Sequence, residues 1–282
     1  MSSSMDWELV RQVSRSFYLS LRFLPGPIRE TLALAYLLAR ASDTLADNLT
    51  TSPESRLKIL RAFSEERWEI TLPATDTKGL KDGERTLLER IPALLDILSA
   101  HPDADLIREV LCIIISGQIK DIERFSLSQR GVLTAEELED YTYRVAGCVG
   151  EFWARLCFRR IPHVSALPEE KMVLLGREYG KGLQLVNILR DQQEDRKEGR
   201  EYFSPENFHP LIQKAQASVD AGRQFALALR GIRLRFCCLL PYALGQQTLE
   251  LLQQNPNATR VRISRFAVYR AMVRCFFTAC RR

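Results

Sequence analysis

Tyr36-Leu-Leu-Ala-Arg40-Ala-Ser-Asp43-Thr-Leu-Ala-Asp47 is an apolar run that ends in two aspartates four residues apart. Read as a helix, it sets Tyr36, Arg40, Asp43 and Asp47 at steps of four, three and four, so all four project from one face. A helix end dipping into solvent would account for one such pair. The pattern recurs, however: Gly180, Gln184, Asn187, Asp191 and Asp195 advance by four, three, four and four along a segment otherwise built of Leu183, Leu185, Val186, Ile188 and Leu189. Amides and carboxylates drawn into an apolar helix are costly unless satisfied, so both ridges call for partners.

Outward from these two stretches the chain reads as helix nearly throughout. Glycines and prolines cluster between periodic segments, and no alternating strand pattern flanked by hairpin turns occurs. The expected fold class is all-α. Helices are expected at about 7–23, 28–47, 52–70, 106–125, 134–150, 169–194, 211–229, 236–254 and 262–278. Ser52 before Pro53 supplies a helix cap, and Thr134-Ala-Glu-Glu137 has capping-box spacing. Leu111-Cys-Ile-Ile-Ile115 is apolar all round and predicts a central core helix. Ala146, Gly147 and Gly150 either let two helices touch or leave room for a ligand. A polar linker is expected at 73–83, and the lack of any boundary further on predicts one domain over 1–282.

Composition narrows the function. With 282 residues, 46% hydrophobic and 27% charged, the chain can bury a sizeable core. A net charge of +5, with bases scattered among acids, suits an anionic substrate or a membrane surface and lacks a nucleic-acid footprint. Seven cysteines without metal-ligand spacing predict reduced, buried thiols in a cytoplasmic protein. Histidines occur only at 101, 163 and 209, each expected in a proline-containing loop, which leaves no set for a histidine-ligated metal or a serine–histidine triad. Residues 1–9 lack a secretory pattern, and arginines 265, 270 and 274 interrupt the apolar stretch near residue 282, so no spanning tail is expected. Association with a membrane surface stays open.

Carboxylates one turn apart lie about 6 Å from each other along a helix axis, a spacing suited to hard cations held through oxygen. A phosphate beside a carboxylate is repelled by about 4 kcal/mol at 4 Å and an effective dielectric near 20, so an anionic substrate needs bridging metal. With Mg2+ the two ridges become a diphosphate anchor, to which Arg40 and Arg190 add direct donors. Such a site can draw a diphosphate off a carbon skeleton. Glycoside hydrolysis fits paired carboxylates less well, and a di-iron bundle would need Glu-x-x-His pairs that are absent from the sequence.

Four stretches in order, Ser14-Arg15-Ser16-Phe17, Tyr36-x3-Arg40-x2-Asp43-x3-Asp47, Tyr141-x3-Val145-Ala-Gly147-x2-Gly150 and Gln184-x2-Asn187-x2-Arg190-Asp191-x3-Asp195, resemble the motifs of the squalene/phytoene synthases. The resemblance implies an isoprenoid synthase fold, helices around a central cavity with the ridges on opposite walls. It implies Mg2+-dependent head-to-head condensation of two prenyl diphosphates through a cyclopropyl intermediate. By position, Asp43, Asp47, Asp191 and Asp195 would hold magnesium and diphosphate. Arg40, Arg190, Gln184 and Asn187 would line the polar end, beside the cavity residue Tyr36. Tyr141 would be the acid/base or cation-stabilising group. Ser14, Arg15, Ser16 and Phe17, with Arg200 and Tyr202, would border a substrate channel or its flap.

Within the family, Leu38 to Leu45, Phe236 to Pro241, Thr248-Leu249 and Val261-Arg262-Ile263 resemble bacterial squalene synthases more than phytoene synthases. That likeness implies farnesyl diphosphate as substrate, presqualene diphosphate as intermediate and NADPH as reductant, with Arg262 and Arg265 toward the nucleotide phosphate. Basic residues at the start of a surface helix are the other explanation for those arginines. Dehydrosqualene, hydroxysqualene, presqualene diphosphate and phytoene stay open as products. A prenyl diphosphatase and a non-catalytic binding protein stay open as different classes. Thr142 and Ser264 depart from the family pattern, where cysteine and arginine are common.

Overall fold

The computed structural model describes residues 5–14, 17–48, 50–67, 79–128, 131–255 and 261–281. They are helical with one isolated backbone bridge, Ser165 to Leu229, and no strand among the described residues. The chain divides into two compact units, Met1–Gln129 and Arg130–Arg282.

The first unit holds α1 (Trp7–Ser14), α2 (Phe17–Phe23), α3 (Gly26–Ala46), α4 (Pro53–Ser64), α5 (Asp82–Glu89), α6 (Ile91–Ser99) and α7 (Ala104–Asp121), the last running into a π-helical turn, Ile122–Leu127. α3 is the central helix. Proline in its first turn sets the start, and Ile28, Ala33, Leu34, Leu37, Leu38 and Ala41 are fully buried on several sides. α7 packs against it and buries Ile107, Leu111 and Ile115, but Cys112 is exposed. The helix expected to be apolar all round thus keeps one open face, and α3 takes the central place. Ser52 caps α4, its hydroxyl accepting from the Ser55 amide at 3.2 Å. α4 stops at Ser64, earlier than expected, where Glu66 turns to a φ of 56°. Most of the expected linker at 73–83 lies outside the described residues, and its last two residues open α5.

The second unit holds α8 (Ala135–Thr142), a π-helical turn (Tyr143–Gly147), α9 (Cys148–Arg160), α10 (Glu169–Lys197), α11 (Phe208–Ala228), α12 (Ile232–Gln254) and α13 (Arg265–Cys280). Thr134 and Glu137 form the expected capping box, with reciprocal bonds of 3.2 and 2.9 Å. α10 is the hub, packed by α9, α11 and α12. Its contact with α9 is made by glycine. A methyl placed on Gly150 would lie 1.8 Å from the Gly176 carbonyl oxygen, and one on Gly180 would lie 2.2 Å from that of Ala146. The small residues therefore serve helix contact, and Gly180 belongs to this crossing rather than to the polar ridge. α13 starts at Arg265, three residues later than expected, because Ser264 caps it by accepting from the Ala267 amide at 3.2 Å.

A buried lysine fastens three of these helices. Lys181 of α10 pairs with Glu139 of α8 and with Glu178 at 2.8 Å, and Lys214 of α11 reaches Glu139 at 2.7 Å. Burial pushes the Glu139 carboxyl up, but the hydrogen bonds from both lysines outweigh it and hold it below the ordinary carboxylate value of 4.5. A depressed carboxylate stabilises the fold above its unfolded value, and that contribution drains as pH falls through the folded value. With 41% of its side chain exposed, the effect is screened. Glu139→Gln is expected to lower unfolding stability by about 1 kcal/mol near neutral pH, with the gap to wild type closing as pH falls below about 4 in urea titrations.

All seven cysteines are free thiols, five of them buried, while Cys112 and Cys280 are exposed against expectation. His209 lies in the first turn of α11 rather than in a loop. Among the described residues no helix is long and apolar enough to cross a membrane.

Candidate active site

Each ridge rides on the central helix of its unit, which fixes its residues in register. On α3, Asp43 is held by Gln118 of α7, whose Nε2 donates to Oδ1 at 2.6 Å, and Arg40 Nη1 stands 3.9 Å from Oδ2. Glu84 of α5 anchors Arg40 in turn, accepting from Nη2 at 2.8 Å. Tyr36 donates its hydroxyl to the Val13 carbonyl at 3.2 Å, tying α3 to α1. Asp47 closes the helix as its C-cap, its amide bonded to the Asp43 carbonyl at 2.9 Å.

The electrostatics of this end are unfavourable without a cation. Two carboxylates stand at the negative end of the helix dipole, and the last turn of α3 contains no basic residue. Burial first, and Asp47 second, push the Asp43 carboxyl up to about 7, against the pull of Arg40 and the Gln118 bond. Its side chain keeps 46% of its surface accessible, so water tempers the burial contribution. The direction is upward all the same, since Asp47 acts with burial.

On α10 the polar ridge carries its own counter-charges. Arg190 grips its neighbour Asp191 with two bonds, Nε to Oδ1 at 2.8 Å and Nη2 to Oδ2 at 2.5 Å, and that contact holds the guanidinium above its ordinary value. Arg200, beyond the helix end, approaches Asp195 at 3.7 Å and also pairs with Glu198. Asn187, exposed, donates to Gln184 at 3.4 Å. Tyr141 and Tyr202, expected in separate roles, stack at 4.9 Å between ring centroids and share a hydroxyl hydrogen bond of 3.1 Å.

Other expected residues stand elsewhere. Ser14 is buried, with its hydroxyl donated to the Val10 carbonyl at 2.5 Å. Arg15 and Ser16 lie outside the described residues, and Phe17 opens α2. Arg262 and Arg265 are both exposed at the approach to α13. Two residues of the site, Glu84 and Gln118, escape a reading of the sequence. The signal for Gln118 is a lone amide on the apolar α7. Its Oε1 is buried without a hydrogen-bond partner.

Among the described residues no cluster of three or more His, Cys, Asp and Glu forms a ready metal cage. Each ridge nevertheless offers a pair of carboxylate oxygens, the donor type magnesium takes when phosphate and water complete its shell. The charge conflict between Asp43 and Asp47 is what a divalent cation would relieve. The donor set fits the group in kind.

The family model for squalene/phytoene synthases matches residues 10–209. The bifunctional lycopene cyclase/phytoene synthase of Leptosphaeria maculans is 34% identical over 203 residues, covering 69% of this chain and 33% of that protein. The squalene synthase of Gibberella zeae is 26% identical over 304 residues, covering 95% of this chain and 63% of that protein. The chain thus spans about a third of the first relative and under two thirds of the second. The solved structure of TcSQS in complex with a ligand superposes with a TM-score of 0.78 at 22% identity, over 97% of this chain and 88% of that one.

Proposed function

The chain belongs to the squalene/phytoene synthase family, and from that premise we propose that it is a prenyltransferase joining two prenyl diphosphates head to head. The observation that carries the proposal is the repeated device on α3 and α10, an aspartate pair with a guanidinium beside it, at 40, 43 and 47 and at 190, 191 and 195. The family match runs across the boundary between the units, which favours one functional domain over 1–282.

Asp43, Asp47, Asp191 and Asp195 would hold magnesium, which when bound supplies charge neutralisation for the diphosphate leaving group. The chain's own residues do the rest. Gln118 fixes the Asp43 carboxylate for a cation and Glu84 steadies Arg40, whose guanidinium can donate to diphosphate oxygens. Arg190 keeps Asp191 neutralised until an anionic ligand competes for the guanidinium. Gln184 and Asn187 offer neutral donors one turn further along. Tyr141 keeps a proton at its phenolic oxygen, shared with Tyr202, and can give or take it at a reacting carbon.

The finer proposal is a squalene synthase: two farnesyl diphosphates condense to presqualene diphosphate, which a second ionisation and hydride delivery from NADPH convert to squalene. Arg262 and Arg265 would meet the nucleotide phosphate. The cap formed by Ser264, where arginine is common, favours a second reading in which an unreduced product leaves. Incubation with farnesyl diphosphate and magnesium, with and without NADPH, separates them. Squalene is expected only with NADPH. Dehydrosqualene, hydroxysqualene or presqualene diphosphate as the product in both arms, or squalene formed equally well in both, would overturn the reductive reading. Phytoene from the longer geranylgeranyl substrate would shift the chain length. Farnesol with free phosphate would point to a diphosphatase.

A further inference from the structure

α13 has two apolar faces, and only one is covered. Its inner face, Ala271, Cys275 and Ala279, is buried against the second unit, where the Cys275 thiol donates to the Leu239 carbonyl of α12 at 3.4 Å. Its outer face is Phe266, Tyr269, Val273, Phe276 and Phe277, all exposed, with Phe266 at 76% and Phe277 at 61%. At 3.6 residues per turn these five side chains fill a stripe roughly 100° wide. Arg265 borders one edge of the stripe, and Arg270, Arg274 and Arg281 border the other. No aspartate or glutamate occurs from 251 to 282. Arg235 donates to the carbonyls of Arg281 and Ala279 at 3.1 and 3.4 Å, so the helix is fastened to the start of α12 and presented as a fixed part of the fold.

Four aromatic rings and a valine on one exposed face mark an interaction surface. Its charge selects the occupant. A second copy docking through the same face would bring arginine rows together with no acid on either helix to balance them. An anionic bilayer accepts both features: the rings and Val273 enter the boundary of the acyl chains, and the flanking guanidinium groups meet lipid phosphates. We infer that α13 is a membrane-docking surface for anionic phospholipid, lying in the plane of the interface. The contact assigned to α13 is adsorption through its exposed face, as Arg265, Arg270, Arg274 and the five exposed apolar side chains lie along one helix.

The test is flotation of the whole protein with vesicles of phosphatidylcholine alone, or with about one third phosphatidylglycerol. Co-flotation is expected only with the anionic vesicles, weakening on the order of tenfold as salt shortens the Debye length from about 10 to about 3 Å. Arg270→Gln/Arg274→Gln and Tyr269→Ser/Phe277→Ser should each lower partitioning by roughly tenfold or more. Tyr269→Trp is a milder variant that keeps an aromatic ring. Against wild type, its added fluorescence should shift to the blue and be quenched by lipids brominated on the acyl chain. Equal binding to neutral and anionic vesicles, or wild-type binding by both double variants, would overturn the assignment. So would added fluorescence in Tyr269→Trp that is indifferent to vesicles, or a dimer in light scattering that Tyr269→Ser/Phe277→Ser dissolves.

Discussion

Asp43→Asn is expected to lower magnesium-dependent turnover of farnesyl diphosphate by roughly a thousandfold, about 4 kcal/mol of barrier, with Asp191→Asn close behind. The amide keeps the size of the carboxylate and an oxygen for the Gln118 donor at 2.6 Å, and loses only the charge. It also removes the conflict with Asp47 that pushes Asp43 upward. The melting temperature of the chelated protein should therefore hold or rise while activity falls. That pairing separates a metal and diphosphate role from a structural one, because a structural carboxylate would lose both together. Chelation should abolish wild-type turnover and added magnesium restore it. Full activity in either variant would remove the aspartates from the proposed machinery.

The largest expected effect on stability falls at Gly150. An added methyl there meets the Gly176 carbonyl oxygen at 1.8 Å and its carbon at 2.4 Å. Backbone cannot swing aside as a side-chain tip can, so α9 and α10 must separate. Overpacking of this kind costs about 3 kcal/mol or more. Gly150→Ala and Gly176→Ala are both expected to lower unfolding stability by that amount in urea titrations or to abolish folding. Gly245→Ala is the control. Its methyl would meet only Leu183 and Val219 side-chain carbons at 3.5 to 3.8 Å, and a helical alanine gains about 0.4–1 kcal/mol over glycine through the unfolded chain. A stabilised Gly245→Ala beside a crippled Gly150→Ala would confirm that contact with backbone, rather than loss of glycine itself, sets the cost.

These cases show where local pattern suffices. The helices around 36–47 and 184–195 and the alignment of each polar ridge follow from spacing alone, since a helix repeats every 3.6 residues whatever it packs against, and the caps of α4 and α8 at Ser52 and Thr134 follow from local residue type. Carboxylate pairs one turn apart likewise declare a charge problem before any tertiary structure is known. Sequence spacing does not reveal which distant side chain answers a given charge. Gln118 reaches Asp43 across 75 positions, and Glu84 reaches Arg40 across 44.

The same limit applies to residues whose meaning depends on a neighbour. Gly150 fits either a ligand gap or a helix crossing, and Gly180 reads as part of the polar ridge, until the facing segment supplies the carbonyls that fill the space. Tyr141 and Tyr202 become a pair only when the loop after α10 returns to α8. Leu111 to Ile115 read as uniformly apolar, yet burial is assigned by what surrounds a helix, and Cys112 stays exposed. For this chain the sequence alone determined the helices and the two acidic ridges, which rest on local periodicity, and the family likeness, which rests on four motifs in order. Tertiary structure decided which side chains satisfy the ridges, which glycines carry packing and which face of α13 stays open, because those depend on contacts between segments far apart in the chain.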